Sequence, residues 1–155
     1  MAEVTIKKAE KSELRQILEL QYLAYKSEAK LHDDFSIPPL KQTLEEVEQE
    51  FAKCVFLKAI DENGVIVGSV RAYDDDSTAY IGKLIVRPEM QSQGIGTKLV
   101  AAIEHEYLNM RYELFTGYKS VKNIRLYEYL GYVKFKEQKV SDKLTLMFFE
   151  KRSGV

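Results

Sequence analysis

The stretch from residue 84 to residue 99 constrains this chain most, because its residue types change in an order that few local structures accept. Three apolar residues at 84–86 end a predicted strand, and Pro88 marks a turn. Gly94 and Gly96 then precede an apolar pattern with helical spacing. The start of a helix leaves backbone N–H groups without partners, and these groups can hold an anion. Glycines let a diphosphate approach such a backbone. The stretch therefore predicts a strand, an anion-binding loop and a helix.

Two familiar phosphate loops do not fit this stretch. The dinucleotide fingerprint G-x-G-x-x-G requires a third glycine where this chain has Leu99. The P-loop requires lysine directly after glycine, whereas this chain reads Gly96-Thr97-Lys98. The remaining pattern is Gln91-x-x-Gly94-x-Gly96. An ordinary strand-turn-helix, whose glycines only make the turn, would also contain it.

A second block, residues 115–132, adds specificity. It reads as a strand, a loop that leads to Asn123, a helix that carries Tyr127, and the pair Gly131-Tyr132. Together the two blocks resemble the GNAT superfamily, the acyl-CoA-dependent N-acyltransferases, whose coenzyme A loop has the pattern [Q/R]-x-x-G-x-[G/A]. The resemblance covers residues 55–151 well and the preceding part more loosely.

Apolar periodicity and turn residues predict a mixed α/β chain, with one domain over residues 1–155. Strands are predicted at 4–8, 55–60, 65–73, 78–86, 112–116, 132–140 and 144–150. Helices are predicted from a cap at Ser12 to about 30, at 43–53, 93–109 and 121–130. The segment 31–42 is predicted to be irregular, since Pro38 and Pro39 cannot continue a helix. The helix between the fourth and fifth strands indicates a parallel crossover. The resemblance implies a mostly antiparallel sheet in which these two strands splay for the cofactor, flanked by about four helices.

Composition and net charge limit the classes of partner and the location that we expect for this protein. A net charge of −1 provides no basic surface, which argues against nucleic acid as a partner. The chain has no apolar run of membrane-spanning length and no signal-peptide pattern, so a cytoplasmic location away from membranes is expected. Its single cysteine, Cys54, is expected to be a buried apolar residue. His32 and His105 are expected at the surface and have no metal-ligand spacing.

The resemblance implies acetyl-CoA as co-substrate and no metal. In family members the loop holds the diphosphate, and the pantetheine arm lies along the fourth strand, bonded to the main chain of Leu84 and Val86. An N–H group of Leu84 or Ile85 would polarise the thioester carbonyl. The residues expected to bind the cofactor are therefore Leu84, Ile85, Val86, Gln91, Ser92, Gln93, Gly94, Ile95, Gly96, Thr97, Asn123 and Tyr127.

The resemblance also implies that Tyr127 is the general acid which reprotonates the leaving thiolate. Helical spacing allows a second interpretation, in which Tyr127 is a core aromatic residue. Asn123 is expected either to cap its helix or to contact the pantetheine. Many family members place this asparagine further upstream, where this chain has Ser120.

The general base is not evident, because the predicted strand 78–86 contains no carboxylate. Glu28, Asp33 and Asp34 are candidates for the base or for substrate contacts. Their charges favour a cationic amine acceptor. The acceptor is expected to be a small amine, a polyamine, an antibiotic amine or a protein amino group, and a homodimer is expected by analogy. The alternative function is a non-catalytic acyl-CoA-binding sensor or interaction module.

Overall fold

The computed structural model describes residues 3–152 and contains a mixed sheet of seven strands. The strand order is β1-β2-β3-β4-β5-β7-β6, and every neighbouring pair is antiparallel except β4 and β5. The strands span Thr5–Lys8 (β1), Val55–Ile60 (β2), Ile66–Asp74 (β3), Thr78–Val86 (β4), Arg111–Gly117 (β5), Val133–Lys139 (β6) and Thr145–Arg152 (β7). The predicted mixed fold with a parallel β4–β5 pair is therefore confirmed.

Helices cover both faces of the sheet. They span Leu14–His32 (α1), Pro38–Lys41 (α2), Leu44–Phe51 (α3), Ile95–His105 (α4) and Val121–Tyr129 (α5). The apolar residues of α1 and α3 pack with Phe56, Ile66 and Ile85 of the sheet on one face. Those of α4 and α5 pack on the other face, where they form the larger core around Leu99 and Tyr112. Burial of these side chains supplies the main driving force for the layered arrangement.

The second predicted helix begins as its sequence indicates. Thr43 is its N-cap: the Thr43 hydroxyl accepts from the Glu46 N–H at 3.2 Å, and the Glu46 carboxylate accepts from the Thr43 N–H at 2.9 Å. This reciprocal capping box satisfies two N–H groups that a helix start would leave without partners. In the described residues no helix is both long and apolar enough to cross a membrane.

Several predictions about the first helices were wrong. A 3-10 turn over Lys11–Glu13 precedes α1, and the Glu13 carboxylate bonds the backbone of Glu10, so Ser12 is not the cap. Helix α1 also continues beyond 30 to His32, because His32 packs against the rest of the fold. Pro38 and Pro39 start the short helix α2, since proline loses no hydrogen bond at the first helical positions.

The third predicted helix is shorter than expected. Helix α4 begins at Ile95 and ends at His105, whereas 93–109 was predicted. At the front, Gly94 adopts a left-handed backbone conformation that starts the helix. Beyond the end, Glu106 and Tyr107 make only tighter turns, and Asn109 has a positive φ of 65°. A non-glycine residue in this conformation terminates a helix.

Candidate functional site

The β4–β5 pair opens after three residues. Parallel pairing joins Thr78, Ala79 and Tyr80 to residues 111–113, yet the strands continue to Val86 and Gly117. The remaining β4 residues therefore present main-chain groups on an edge that faces no strand. Such an edge can bond an extended ligand. The splay implied by the resemblance is present in this structure.

A bulge shapes β4 beside this opening. Ser69 of β3 pairs with Ile85 and Arg71 pairs with Gly82, so two β4 residues, Lys83 and Leu84, lie opposite one β3 residue. Lys83 has a φ of 50°, in the left-handed region that lysine rarely occupies. Bulges re-aim side chains and backbone groups, and strained residues of this kind concentrate at functional sites.

The glycine loop ends at an uncapped helix. Gly94 is the N-cap of α4 with a φ of 84°, and no side chain caps the helix. The N–H groups of the first turn, including those of Ile95, Gly96 and Thr97, have no intrahelical acceptor at this position. A Cβ atom at Gly94 would meet nothing within 4 Å. The loop therefore offers open space in front of several N–H donors, which is the chemistry that a diphosphate requires.

The other loop residues have different surroundings. The Gln91 side chain donates to the Val86 carbonyl at 3.4 Å, which ties the loop to the end of β4. Ser92 is exposed and has a φ of 64°. At Gly96 an added Cβ would lie 3.2 Å from the Leu126 side chain. Gly96 therefore also permits close packing of α4 against α5, a role that the sequence pattern did not suggest.

Tyr127 is buried within the core on α5. Its ring contacts those of Tyr132 and Phe149 at centroid distances of 6.2 and 5.8 Å. The Tyr127 hydroxyl has no hydrogen-bond partner among residues 3–152. In the same residues, Arg71 Nε is the only fully buried side-chain nitrogen or oxygen that lacks a hydrogen-bond partner. The Tyr127 oxygen must therefore reach solvent-accessible space. Burial, with smaller contributions from Tyr25 and Glu28, raises the pKa of Tyr127 well above 10.

Glu28 is the candidate carboxylate that lies near Tyr127. It accepts a hydrogen bond from the buried Ser120 hydroxyl, which belongs to the turn between β5 and α5. Its charge contributes to the raised pKa values of both Tyr25 and Tyr127. Because α1 and α5 lie on opposite faces of the sheet, these side chains meet where β4 and β5 have separated.

The two neighbouring aspartates lie elsewhere. Asp33 follows α1 in a left-handed conformation and forms a 3.8 Å ion pair with Lys143, with its side chain exposed. Asp34 accepts hydrogen bonds from the backbone and hydroxyl of Ser36. The structure therefore brings one of the three predicted carboxylates, Glu28, next to Tyr127, and it leaves the other two at the surface.

Asn123 does not cap its helix, so that interpretation was wrong. Helix α5 begins at Val121 with Ser120 as its N-cap, because the turn closes with a bond from the Ser120 N–H to the Gly117 carbonyl. The Asn123 amide instead donates to the Thr116 hydroxyl at 3.2 Å. This bond ties the first turn of α5 to the end of β5, beside the opening.

His32 is buried, which corrects the prediction of a surface residue. Its Nε2 accepts from the Lys119 N–H at 3.2 Å, so its Nδ1 carries the proton and donates to the Glu28 carbonyl at 3.0 Å. The ring also contacts Tyr118 edge-on. His32 therefore fastens the end of α1 to the turn that holds Ser120. The helical spacing of three residues between Ala29 and His32 was the available sequence signal.

On the face opposite α4, a cavity of about 730 Å³ borders the start of the opening. It is lined by Glu50, Lys53, Cys54, Arg71, Ala72, Tyr73, Asp74, Tyr80, Ile81, Gly82, Glu113, Leu114, Phe115 and Phe148. Cys54 is partly buried in this wall. None of these side chains was predicted from the sequence to belong to a functional site. The available signal was Arg71, a charged residue within an otherwise apolar strand.

The family model described as Acetyltransferase (GNAT) family matches residues 12–132, which include α1, the glycine loop and α5. This chain belongs to the GNAT acetyltransferase family. No curated protein matches the chain in sequence.

Solved structures share the fold at low sequence identity. A phosphinothricin acetyltransferase from Sinorhizobium meliloti, in complex with AcCoA, has a TM-score of 0.77 at 18% identity, covering 97% of this chain and 89% of that one. The PaiA N-acetyltransferase from Thermoplasma acidophilum, in complex with coenzyme A, has a TM-score of 0.75 at 17% identity, with coverages of 97% and 99%. The ribosomal-protein-S18-alanine N-acetyltransferase from Escherichia coli has a TM-score of 0.76 at 16% identity, with coverages of 99% and 96%. Two of these structures contain acetyl-CoA or coenzyme A.

Proposed function

We propose that this protein is an N-acetyltransferase that moves an acetyl group from acetyl-CoA to a primary amine by direct attack of the amine on the thioester. The observation that carries the proposal is the meeting of α1 and α5 at the β4–β5 opening. There the Ser120 hydroxyl beside α5 donates to the Glu28 carboxylate of α1, and the charge of Glu28 contributes to the raised pKa of Tyr127. Bound acetyl-CoA would supply an activated acetyl carbon and a sulfur leaving group.

The glycine loop and the edge of β4 would hold the co-substrate. The N–H groups at the start of α4, with the positive end of its dipole, would bind the diphosphate. Main-chain groups of Leu84 and Val86 on the open edge of β4 would bond the pantetheine as an added strand would. An N–H group of Leu84 or Ile85 would then donate to the thioester carbonyl oxygen and stabilise its developing charge.

Tyr127 would be the proton donor for the sulfur leaving group. Because burial raises its pKa, the Tyr127 hydroxyl stays protonated throughout the neutral range and can always donate. The hydroxyl would donate a hydrogen bond to the sulfur as negative charge develops there, and as general acid it would give its proton to the thiolate when the carbon–sulfur bond breaks. In a buried site such a bond is stronger than in water.

Glu28 would take the proton of the attacking amine, directly or through one water. Its carboxylate is oriented by the Ser120 hydroxyl, which donates to Oε2. His32 fixes the α1 turn on which Glu28 lies, because its ring bonds both the Glu28 carbonyl and the Lys119 N–H. Strand β4 has no carboxylate, so this proton acceptor has to come from another element.

The alternative is an acyl-CoA-binding module without turnover. The absence of a β4 carboxylate is the observation that favours it. A pure binding module has no use for a hydroxyl at Tyr127, so acetyl transfer that disappears in Tyr127→Phe would exclude this alternative.

The first experiment is calorimetric titration of the protein with acetyl-CoA, with ATP and NAD as comparison ligands. Gly94→Trp fills the open space before the first turn of α4 and should abolish binding. Gly64→Trp is the matched control: Gly64 has a φ of 78° and nothing within 4 Å of an added Cβ, so its backbone strain is similar. The control should bind normally. If the wild type does not bind acetyl-CoA, or if both variants lose binding alike, the assigned loop is wrong.

A further inference from the structure

The cavity opposite α4 has one wall whose charges are not balanced. The wall is formed by Arg71 on β3 and by Gly82 on β4, next to the bulge residue Lys83. This wall lies beside the part of β4 where pairing with β5 has ended. An acceptor in this cavity would therefore lie next to the edge along which the co-substrate is proposed to bind.

Arg71 is held rigidly in this wall with one donor unused. The residue is 3% exposed. Its guanidinium donates to Glu50 at 2.9 Å and to Gln21 at 2.7 Å, and it stacks over the Phe56 ring at 4.4 Å. Its Nε is nevertheless the only fully buried side-chain nitrogen or oxygen of the described residues without a partner. A buried guanidinium donor normally has an acceptor, so the residues around Arg71 do not satisfy it fully, and an anion in the cavity would stabilise its charge further.

Lys83, which directly follows the lining residue Gly82 on β4, is the second unusual residue beside this wall. Its backbone adopts the left-handed conformation at the β4 bulge, which costs stability in a lysine. Its side chain is half-buried, and within residues 3–152 no carboxylate lies within 4.0 Å of its ammonium. Burial and then the nearby Arg71 charge lower the pKa of Lys83, while Glu50 opposes that change.

The charges beside Arg71 and Lys83 decide the local balance, because Lys53 and Asp74, which also line the cavity, carry opposite charges that cancel. The charge of Glu50 acts on both cations, but Glu50 already accepts from Arg71. Glu113, on the β5 side, forms a 2.8 Å ion pair with Arg111. Arg71 and Lys83 together therefore exceed the charge of Glu50 by one. An anion beside them would restore neutrality in a partly buried place where unpaired charge is costly.

Aromatic rings form the other walls of the cavity. Tyr73 and Tyr80 stack with centroids 5.2 Å apart, and Phe115 and Phe148 are also 5.2 Å apart. About half the surface of Tyr73 and of Phe115 is exposed. Such pairs hold apolar or aromatic groups, and they add contact area beside the charged wall.

We infer that Arg71 and Lys83 form a subsite for an oxyanionic group on the acceptor, so that the preferred acceptor is an amine that also carries a carboxylate, with an apolar or aromatic side chain. This inference rests on the proposed function and specifies its acceptor. It replaces the cationic acceptor that Glu28, Asp33 and Asp34 had suggested from the sequence.

Matched acceptor pairs test the inference by turnover. Phenylalanine and phenethylamine differ in the carboxylate, as do tyrosine and tyramine. Wild-type kcat/KM should favour each amino acid over its decarboxylated partner by about tenfold or more, as expected for one charge-assisted contact. In Lys83→Gln this preference should disappear through a higher KM of the amino acid, with the amine unaffected. Lys83→Arg should restore the preference.

The control is Lys7→Gln, which removes one positive charge on the distant edge strand β1 and should leave the preference intact. Equal or better use of the decarboxylated amines by the wild type would overturn the inference while leaving the acetyltransferase proposal in place. Transfer to neither member of each pair, with binding of acetyl-CoA absent, would instead count against the proposed function.

A binding measurement tests the subsite without turnover. 3-Phenylpropionate carries the carboxylate and ring but no amine. It should bind the wild type in calorimetry, and Lys83→Gln should weaken this binding by about tenfold. No binding to the wild type, or equal binding to both proteins, would overturn the subsite regardless of any activity result.

Discussion

Tyr127 shows how a single residue can satisfy two interpretations of its sequence position. Its ring packs in the core with Tyr132 and Phe149, as helical spacing predicted. Its hydroxyl nevertheless has no hydrogen-bond partner among residues 3–152 and lies close enough to Glu28 to respond to its charge. Packing fixes the ring, so the position of the hydroxyl is fixed as well. This is the arrangement that a proton donor requires.

Removing that hydroxyl tests its role. Tyr127→Phe keeps the ring packing, so we expect acetyl-CoA affinity and thermal stability close to those of the wild type. Turnover should fall by about 10² to 10⁴, the usual contribution of a general acid. Steady-state kinetics measured beside calorimetry separates the two effects. Tyr129→Phe, at an exposed tyrosine on the same helix, is the control. Unchanged kcat in Tyr127→Phe would exclude the hydroxyl from the chemistry.

Glu28 is the carboxylate for which we predict a kinetic effect. Glu28→Gln keeps an acceptor for the Ser120 hydroxyl but cannot take a proton, so kcat/KM should fall by about 10² or more. Asp33→Asn and Asp34→Asn remove surface charges and should stay within about twofold of the wild type. Kinetics of all three variants with one amine checks the ranking. An equal loss in the three would indicate a general electrostatic effect and no specific base.

At the scale of elements, the contact between α1 and the β5–α5 turn holds the site together. His32 at the end of α1 lies against Gly117 at the end of β5, and a Cβ atom at Gly117 would overlap the His32 ring. The ring cannot move away freely, because both of its nitrogens are bonded. The glycine is therefore needed for close approach, since its own φ is not in the left-handed region.

Gly117→Ala should consequently destabilise the protein by about 1–3 kcal/mol, the usual cost of overpacking. Urea denaturation measures this loss. Gly82→Ala adds a methyl group where nothing lies within 4 Å and should change stability much less. Adding His32→Ala to Gly117→Ala should recover part of the loss, because the overlapping ring is gone. Additive effects of the two substitutions would show that these residues do not interact.

At the scale of the whole molecule, displaced pKa values define a range of pH in which the fold is most stable. Burial alone would raise the pKa of Glu50 and Glu13, but the bonds and charges of Arg71 and Lys58 outweigh it and lower both values. Backbone and side-chain hydrogen bonds lower the pKa of Asp75 as well. Burial raises the pKa values of Tyr25, Tyr127 and Tyr132.

The direction in which the free energy of unfolding changes with pH follows from the linkage between folding and proton binding. A carboxyl group with a lowered folded-state pKa stabilises the fold above its unfolded value, about 4, and loses this contribution as the pH falls through the folded value. A tyrosine with a raised pKa stabilises the fold below about 10 and loses this contribution as the pH rises further. The free energy of unfolding should therefore be nearly constant from about pH 5 to pH 9 and fall outside that range.

Urea denaturation across this range checks the expectation. Glu50→Gln should remove part of the decline on the acid side, because it removes one of the responsible groups. Stability that rises below pH 4, or an acid decline identical in Glu50→Gln, would contradict the assignment. The predicted homodimer is tested separately, by sedimentation velocity with and without acetyl-CoA.

The sequence alone determined the local features of this protein. The glycine loop, the capping box at Thr43, the strand segments and the position of Tyr127 on a helix depend on contacts within a few residues, and local patterns record such contacts. The parallel β4–β5 pair was also predictable, because a helix between two strands allows few topologies.

Only the tertiary structure decided which distant side chains share a site. Glu28 meets Ser120 across 92 residues and Arg71 meets Gln21 across 50, and no local pattern encodes such separations. The end of α1 at His32 and the bulge at Lys83 likewise depend on packing against other elements. Burial is a property of the assembled fold, so the charges that it leaves unpaired became visible only there.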